Sequence, residues 1–230
     1  MRMTPKIAAI TLSIAVALPV AGLAMETPEE RLSYTIGMDI GQSLAEQGID
    51  IDIDLLIEGL RASYAGDETA LTQEEALAER DAFMQRRQQQ LEQERGQEAV
   101  RNLEEGRAFL AENRQNPDVE ETASGLQYRV VEQGEGRSPE ATDRVTVHYR
   151  GTLINGVEFD SSYAREEPAT FALNQVIPGW TEGVQLMQEG ATYEFFIPAE
   201  LAYGEQGRPG PIGPNSTLIF EVELIEVHDD

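Results

Sequence analysis

The chain has 230 residues, no cysteine, and 42 acidic residues against 17 basic ones, for a net charge of −25. No disulfide can staple it, and nothing in it offers the basic patch that nucleic acid or an anionic membrane surface requires. The length allows one or two domains, and the acid excess, present in both halves, has two readings: a solvated surface, or a device for solubility in salt or attraction of basic partners.

Residues 1–24 have the grammar of an export signal. Arg2 and Lys6 form a basic start, Ile7 to Val20 is an apolar run, and Gly22-Leu23-Ala24 is a small-residue cleavage site. The expectation is a leader cleaved near Ala24 and a mature chain in the periplasm. With no other stretch apolar enough to span a bilayer, no stable membrane insertion is expected.

Residues 25–70 read as a helical domain. Leu32, Ile36, Ile40 and Leu44 recur every four residues and share one helical face. A second helix is predicted over Ile53 to Tyr64, with Asp52 as its N-cap. Asp50, Asp52 and Asp54 alternate as in a calcium loop, but Leu55 stands where that loop needs Gly and Arg61 where it needs a chelating Glu, so no metal is expected there. Thr72-Gln73-Glu74-Glu75 reads as a capping box. It opens a proline-free stretch over 71–116, read as a connecting helix, of which Thr72–Arg114 would span about 65 Å at ~1.5 Å per residue. This long helix is polar over most of its circumference, which suits a spacer or a partner-paired helix. Two short amphipathic helices make too small a core to stand alone. Residues 29–65 are therefore expected to complete their core by pairing with a second copy, as a homodimer.

After Asn116-Pro117 the period changes. An acidic linker is read over 117–125, and from 126 to 230 apolar residues alternate. Val145, Val147 and Tyr149 share one face, as do Leu218, Phe220, Val222 and Leu224, and as do Tyr193, Phe195 and Ile197. These predict strands of an antiparallel sheet with one buried face. Asn155-Gly156 marks a tight turn. Pro178 to Met187 is the one helix available to cover the sheet. The fold class is α+β: an all-helical N-terminal domain with a long connecting helix, then a curved antiparallel sheet wrapped on one short helix.

Alternation turns Tyr149 and Phe220 toward the helix that carries Trp180, the only tryptophan. Phe159-Asp160 ends a strand, Phe171 starts another, and Tyr203-Gly204 opens a Gly/Pro-rich loop to Asn215. Periodicity leaves two readings open, an apolar cup for a ligand and an ordinary aromatic core.

Five blocks carry a resemblance. Val147-His148-Tyr149-Arg150-Gly151-Thr152-Leu153, Phe159-Asp160-Ser161-Ser162, Val176-Ile177-Pro178-Gly179-Trp180, Leu201-Ala202-Tyr203-Gly204 and Leu218-Ile219-Phe220-Glu221-Val222-Glu223-Leu224 resemble, in order and spacing, an FKBP domain over about 125–227. The helical half and the leader resemble the Mip-like (macrophage infectivity potentiator) exported subgroup. The resemblance implies an FKBP fold and peptidyl-prolyl cis–trans isomerase (rotamase) activity that assists folding of exported proteins. It places Asp160, Tyr203, Phe159 and Trp180 at the reacting bond, with Tyr149, Arg165, Phe171, Val176, Ile177, Ile212 and Phe220 on the substrate. It implies no cofactor and no metal, unfolded or partly folded X–Pro clients as partners, and macrolide inhibitor binding. The chain departs from the family at Ala169, where an aromatic is frequent, and at Arg208, where His is frequent. The alternative expectation is a client-binding chaperone dimer in which isomerisation is secondary. His148 and His228 are read as non-catalytic.

Overall fold

The computed structural model describes residues 24–228, so the leader lies almost entirely outside the described residues. The chain divides into two compact units at Gln73/Glu74.

In the first unit, helix α1 spans Pro28–Glu46 and helix α2 spans Ile53–Ala65. Thr27 caps α1 through a reciprocal box. Its hydroxyl accepts from the Glu30 N–H at 3.2 Å, and the Glu30 carboxylate accepts from the Thr27 N–H at 3.0 Å. Asp52 caps α2, accepting from the N–H groups of Asp54 and Leu55 at 3.0 and 3.1 Å, so this aspartate serves the backbone. Gly66, at φ 73°, ends α2 in the left-handed conformation that glycine adopts without strain. Neither helix has a buried residue. Leu32 is 61% exposed and Ile36 51%.

Helix α3, Gln73–Asn113, begins directly after Thr72 as the capping pattern predicts. Leu77, Met84 and Leu91 on its first half are exposed. Its second half is not a bare spacer, because Phe109 packs on Phe196 with ring centroids 5.9 Å apart. At its C-terminus, Gln127 donates to the carbonyl of Leu110 (2.9 Å) and accepts from the Asn113 amide (2.9 Å). Gln127 is fully buried and is a second donor to the Leu110 carbonyl, which also accepts from the Arg114 N–H at 3.1 Å.

The sheet is antiparallel throughout. Its strands are β1 (Val119–Glu121), β2 (Gln127–Glu132), β3 (Arg144–Leu153), β4 (Glu158–Ser161), β5 (Ala169–Ala172), β6 (Thr192–Ile197) and β7 (Leu218–His228). Their order is β1-β2-β6-β7-β3-β4, with β5 pairing the first half of β3. The stretch read as a linker thus contains a strand. Val119 pairs with Arg129 and Glu121 with Gln127. A three-residue strand is too short to show a period, which is why composition alone reads it as loop. Asn155-Gly156 turns β3 into β4, with Gly156 at φ 84° and the Gly156 N–H donating to the Leu153 carbonyl at 2.9 Å.

Alternation on β3, β6 and β7 holds as predicted. Val145, Val147, Tyr149, Tyr193, Phe195, Ile197, Leu218, Phe220, Val222 and Leu224 are all buried. The register shifts once between β3 and β7, with Thr146 opposite Glu226 and Val147 opposite Leu224. This bulge at Ile225 moves the inward position from 226 to Val227. Phe196 is buried on the opposite face of β6, under Phe109.

Helix α4, Pro178–Val184, is shorter than the predicted run to Met187. Tighter turns, with Leu186 N–H to Gly183 O and Met187 N–H to Val184 O, carry the chain on and bury Met187. Two glycines four residues apart let the helix lie close to β6. A Cβ on Gly183 would come within 2.7 Å of the Phe195 ring, and one on Gly179 within 2.5 Å of Ile197. That close approach brings Trp180 over the sheet.

Candidate active site

Trp180 is the centre of an aromatic cluster. Its ring meets those of Phe220, Tyr149 and Phe171 edge-on at centroid distances of 5.2, 5.3 and 5.6 Å, with interplanar angles of 81–87°. Phe159 meets Phe220 edge-on at 5.4 Å. Edge-to-face contacts at these distances are favourable quadrupole arrangements, so the cluster is rigid as well as apolar. Position 151 is glycine because a Cβ there would strike the Phe159 and Phe220 rings at 2.6–2.8 Å.

The cluster does not close on itself. Tyr149, Phe159, Asp160, Phe171, Gln175, Val176, Ile177, Trp180, Tyr203, Arg208 and Phe220 line a cavity of about 490 Å³. Trp180 is only 4% exposed and still lines the cavity, so it is both core residue and cavity wall. The two readings left open by periodicity therefore hold together.

Polar groups gather at the rim. The Tyr149 hydroxyl donates to Asp160 Oδ2 at 2.8 Å. Arg165 donates to Asp160 Oδ1 at 2.6 Å and to the Tyr149 hydroxyl at 2.8 Å. Burial raises the Asp160 carboxyl, but the hydrogen bonds from Arg165 and Tyr149 outweigh it and hold the group below its ordinary 3.8. Burial, then the bond to the Asp160 carboxylate, pushes the Tyr149 phenol up. Asp160 is thus a fixed anion and Tyr149 a neutral phenol whose proton is committed to it. Tyr203 differs. It accepts a hydrogen bond from Arg208 Nη1 at 3.3 Å, and the Arg208 guanidinium lies 5.7 Å from its ring centroid. The Tyr203 proton therefore remains available to a ligand.

Nine of the eleven residues singled out in the sequence line the cavity. The other two lie beside it. Arg165 acts at the rim through Asp160 and Tyr149, and Ile212 is buried under the loop, where its carbonyl accepts from the Arg208 N–H at 2.8 Å. Gln175 was not foreseen, although it directly precedes the Val176-Ile177 pair. Arg208 lines the wall. Ala169 packs against the core and does not itself reach the cavity lining. His148 faces the other side of β3, bonded to the Ser162 hydroxyl at 2.9 Å and stacked on Tyr163.

Residues 135–225 match the family profile of the FKBP-type peptidyl-prolyl cis-trans isomerase, and residues 29–130 match that of the domain amino terminal to it. The chain is 48% identical to the probable FKBP-type peptidyl-prolyl cis-trans isomerase FkpA of Neisseria meningitidis serogroup B over 201 residues, 86% of this chain and 74% of that one. The chain belongs to the FKBP-type peptidyl-prolyl cis–trans isomerases. It is 44% identical to the outer membrane protein MIP of Legionella longbeachae, over 89% of this chain and 88% of the other. The crystal structure of FkpA from Escherichia coli superposes with a TM-score of 0.74 at 39% identity, over 89% of this chain and 98% of that one. The protein is a peptidyl-prolyl isomerase, and the relatives favour that activity over a client-binding role with isomerisation secondary. Among the described residues no helix is long and apolar enough to cross a membrane.

Proposed function

We propose that the isomerase works in the Trp180 cavity on X–Pro segments of unfolded or partly folded exported proteins. The observation that carries this is an apolar aromatic cavity with one uncommitted phenol at its edge. Unaided rotation about an X–Pro bond takes tens to hundreds of seconds, against a resonance barrier of about 18–20 kcal/mol. The twisted amide has lost that resonance and its charge separation, so an apolar enclosure favours it over the planar form. The proline ring rests on Trp180, between Tyr149, Phe159, Phe171 and Phe220. Val176 and Ile177 complete the apolar wall. Tyr203 donates to a substrate carbonyl and fixes one side of the rotating bond. Asp160, held by Arg165 and Tyr149, keeps the rim rigid and presents a fixed negative charge. Ile212 and Arg165 act from just outside the cavity.

The test is isomerisation of a proline peptide by Asp160→Ala and Tyr203→Phe. Loss in both supports the assignment, and full activity in both overturns it.

The exposed apolar faces of α1 and α2 support a homodimer through residues 29–65, a pairing that would give Leu32, Ile36 and Ile40 the cover they lack within one chain. Sedimentation as a monomer at micromolar concentration would sink this part of the reading. The leader grammar supports export to the periplasm with cleavage near Ala24, and N-terminal sequencing of the mature protein checks it. The division of labour follows the sequence: pairing in 25–70, a connecting helix over 71–116, isomerisation in 126–230. A macrolide is the inhibitor class such an apolar cavity would take.

A further inference from the structure

The wall of the cavity includes a loop with little regular structure of its own. From Tyr203 to Asn215 the chain passes four positive-φ positions, Gly204, Gly207, Gly210 and Asn215. Three internal backbone bonds close it, Gly207 N–H to Gly204 O at 3.4 Å, Arg208 N–H to Ile212 O at 2.8 Å and Asn215 N–H to Gly204 O at 2.9 Å. A glycine-rich segment of this kind loses more conformational freedom on ordering than any other, yet it carries Tyr203 and Arg208 into the site.

Its outer side is strapped to α3. Arg95 Nη2 donates to the Gln206 carbonyl at 2.5 Å. Asn102 Nδ2 donates to the Pro214 carbonyl at 2.8 Å and reaches the Ser216 hydroxyl at 3.5 Å. Asn215 Nδ2 returns a bond to the Ala99 carbonyl at 3.2 Å. At two glycines the backbone of one segment lies against side chains of the other. A Cβ on Gly213 would come within 2.3 Å of Glu98 Oε1, and one on Gly106 within 2.3 Å of Thr217 Oγ1. Arg95, Ala99, Asn102 and Gly106 are spaced four, three and four residues apart, so they share one face of the helix. The stretch of α3 that looks featureless in sequence is thus a polar stripe fitted to this loop.

We propose that Arg95 and Asn102 are positioning residues for isomerisation. Neither lines the cavity. By fixing the backbone at Gln206 and Pro214, on either side of Arg208, they hold Tyr203 and Arg208 where a substrate meets them. Without the strap, each binding event must order the loop, and that cost falls on binding. The effect is a raised KM with kcat little changed. The inference rests on the reading of the cavity as the site of reaction.

The experiment uses the full chain and a proline tetrapeptide. Arg95→Ala and Asn102→Ala are each expected to raise KM roughly threefold to tenfold, about 0.7–1.4 kcal/mol, with kcat within about twofold. Arg95→Lys, which can still reach one carbonyl, recovers most of the loss. Arg129→Ala removes the Arg129–Glu194 ion pair on the sheet. It costs stability without touching the loop, and KM stays unchanged. The proposal is overturned if KM is unmoved in the α3 variants, or if Arg129→Ala raises it equally. If Asp160→Ala and Tyr203→Phe lose activity while the strap variants keep theirs, the site stands and the strap falls. If all four keep full activity, the site reading itself has failed and takes the strap with it.

Discussion

The two units of this chain use similar apolar residues to opposite ends. In 74–230, Trp180, Phe195, Leu218 and their neighbours bury one another within a single chain, and the cavity is a gap left in that packing. In α1 and α2, Leu32, Ile36, Ile40, Ile53 and Leu60 are on the surface and no residue is buried. Sound caps and a clean four-residue repeat therefore make a helix, but not a core. A sheet closes around its own helix, whereas two short helices need another surface to lie on.

The sharpest break in that comparison is Trp180→Ala. It removes the centre of the aromatic cluster and is expected to cost the isomerase unit roughly 3–5 kcal/mol, read as a lower denaturation midpoint. The dimer proposed through residues 29–65 should survive in the same variant below that midpoint. Next comes Asp160→Ala, which leaves Arg165 and Tyr149 without their shared acceptor. A fall in kcat/KM of about tenfold to a hundredfold is expected, with the hydrogen bond to a charged group as its physical source. On the other side of the comparison, Ile36→Glu places a charge on the apolar face of α1. It should shift sedimentation from dimer to monomer while short-peptide isomerisation stays within about twofold. An intact dimer would mean that another face does the pairing.

The smallest effect concerns pH. Asp160 has a folded pKa below its ordinary 3.8. The stabilisation it provides is therefore present above 3.8 and is lost as pH falls through the lowered folded value. Isomerase activity should be flat through pH 5–8 and should not decline at the pH where an unpaired carboxylate protonates. In Arg165→Gln the decline should move up in pH, and a profile identical to the native protein would show that Arg165 does not hold that carboxylate.

Much of this was readable from residues. Period-two alternation in β3, β6 and β7 is a direct consequence of one buried face, so the sequence alone turns Tyr149 and Phe220 inward. Asp52 and Asn155-Gly156 signal their cap and turn by local chemistry, and Thr72 marks where α3 starts. What escaped was set by tertiary context. Val119–Glu121 is a strand because β2 lies beside it. Gln127 is buried because Leu110, Asn113 and Glu121 together supply its side-chain partners. Ile212 lies under the loop instead of in the cavity because the backbone closes between Arg208 and Ile212. The stripe Arg95–Asn102 has no apolar period at all, so only its partner loop gives it meaning.

The central claim is that the Trp180 cavity is where substrate sits. Trp180 is the only tryptophan, so intrinsic fluorescence of the native protein reports on that position alone. Titration with a proline peptide or a macrolide should change the emission saturably, and Tyr203→Phe should weaken the peptide's midpoint. Saturable inhibition of isomerisation by the macrolide with no change in Trp180 emission would contradict it.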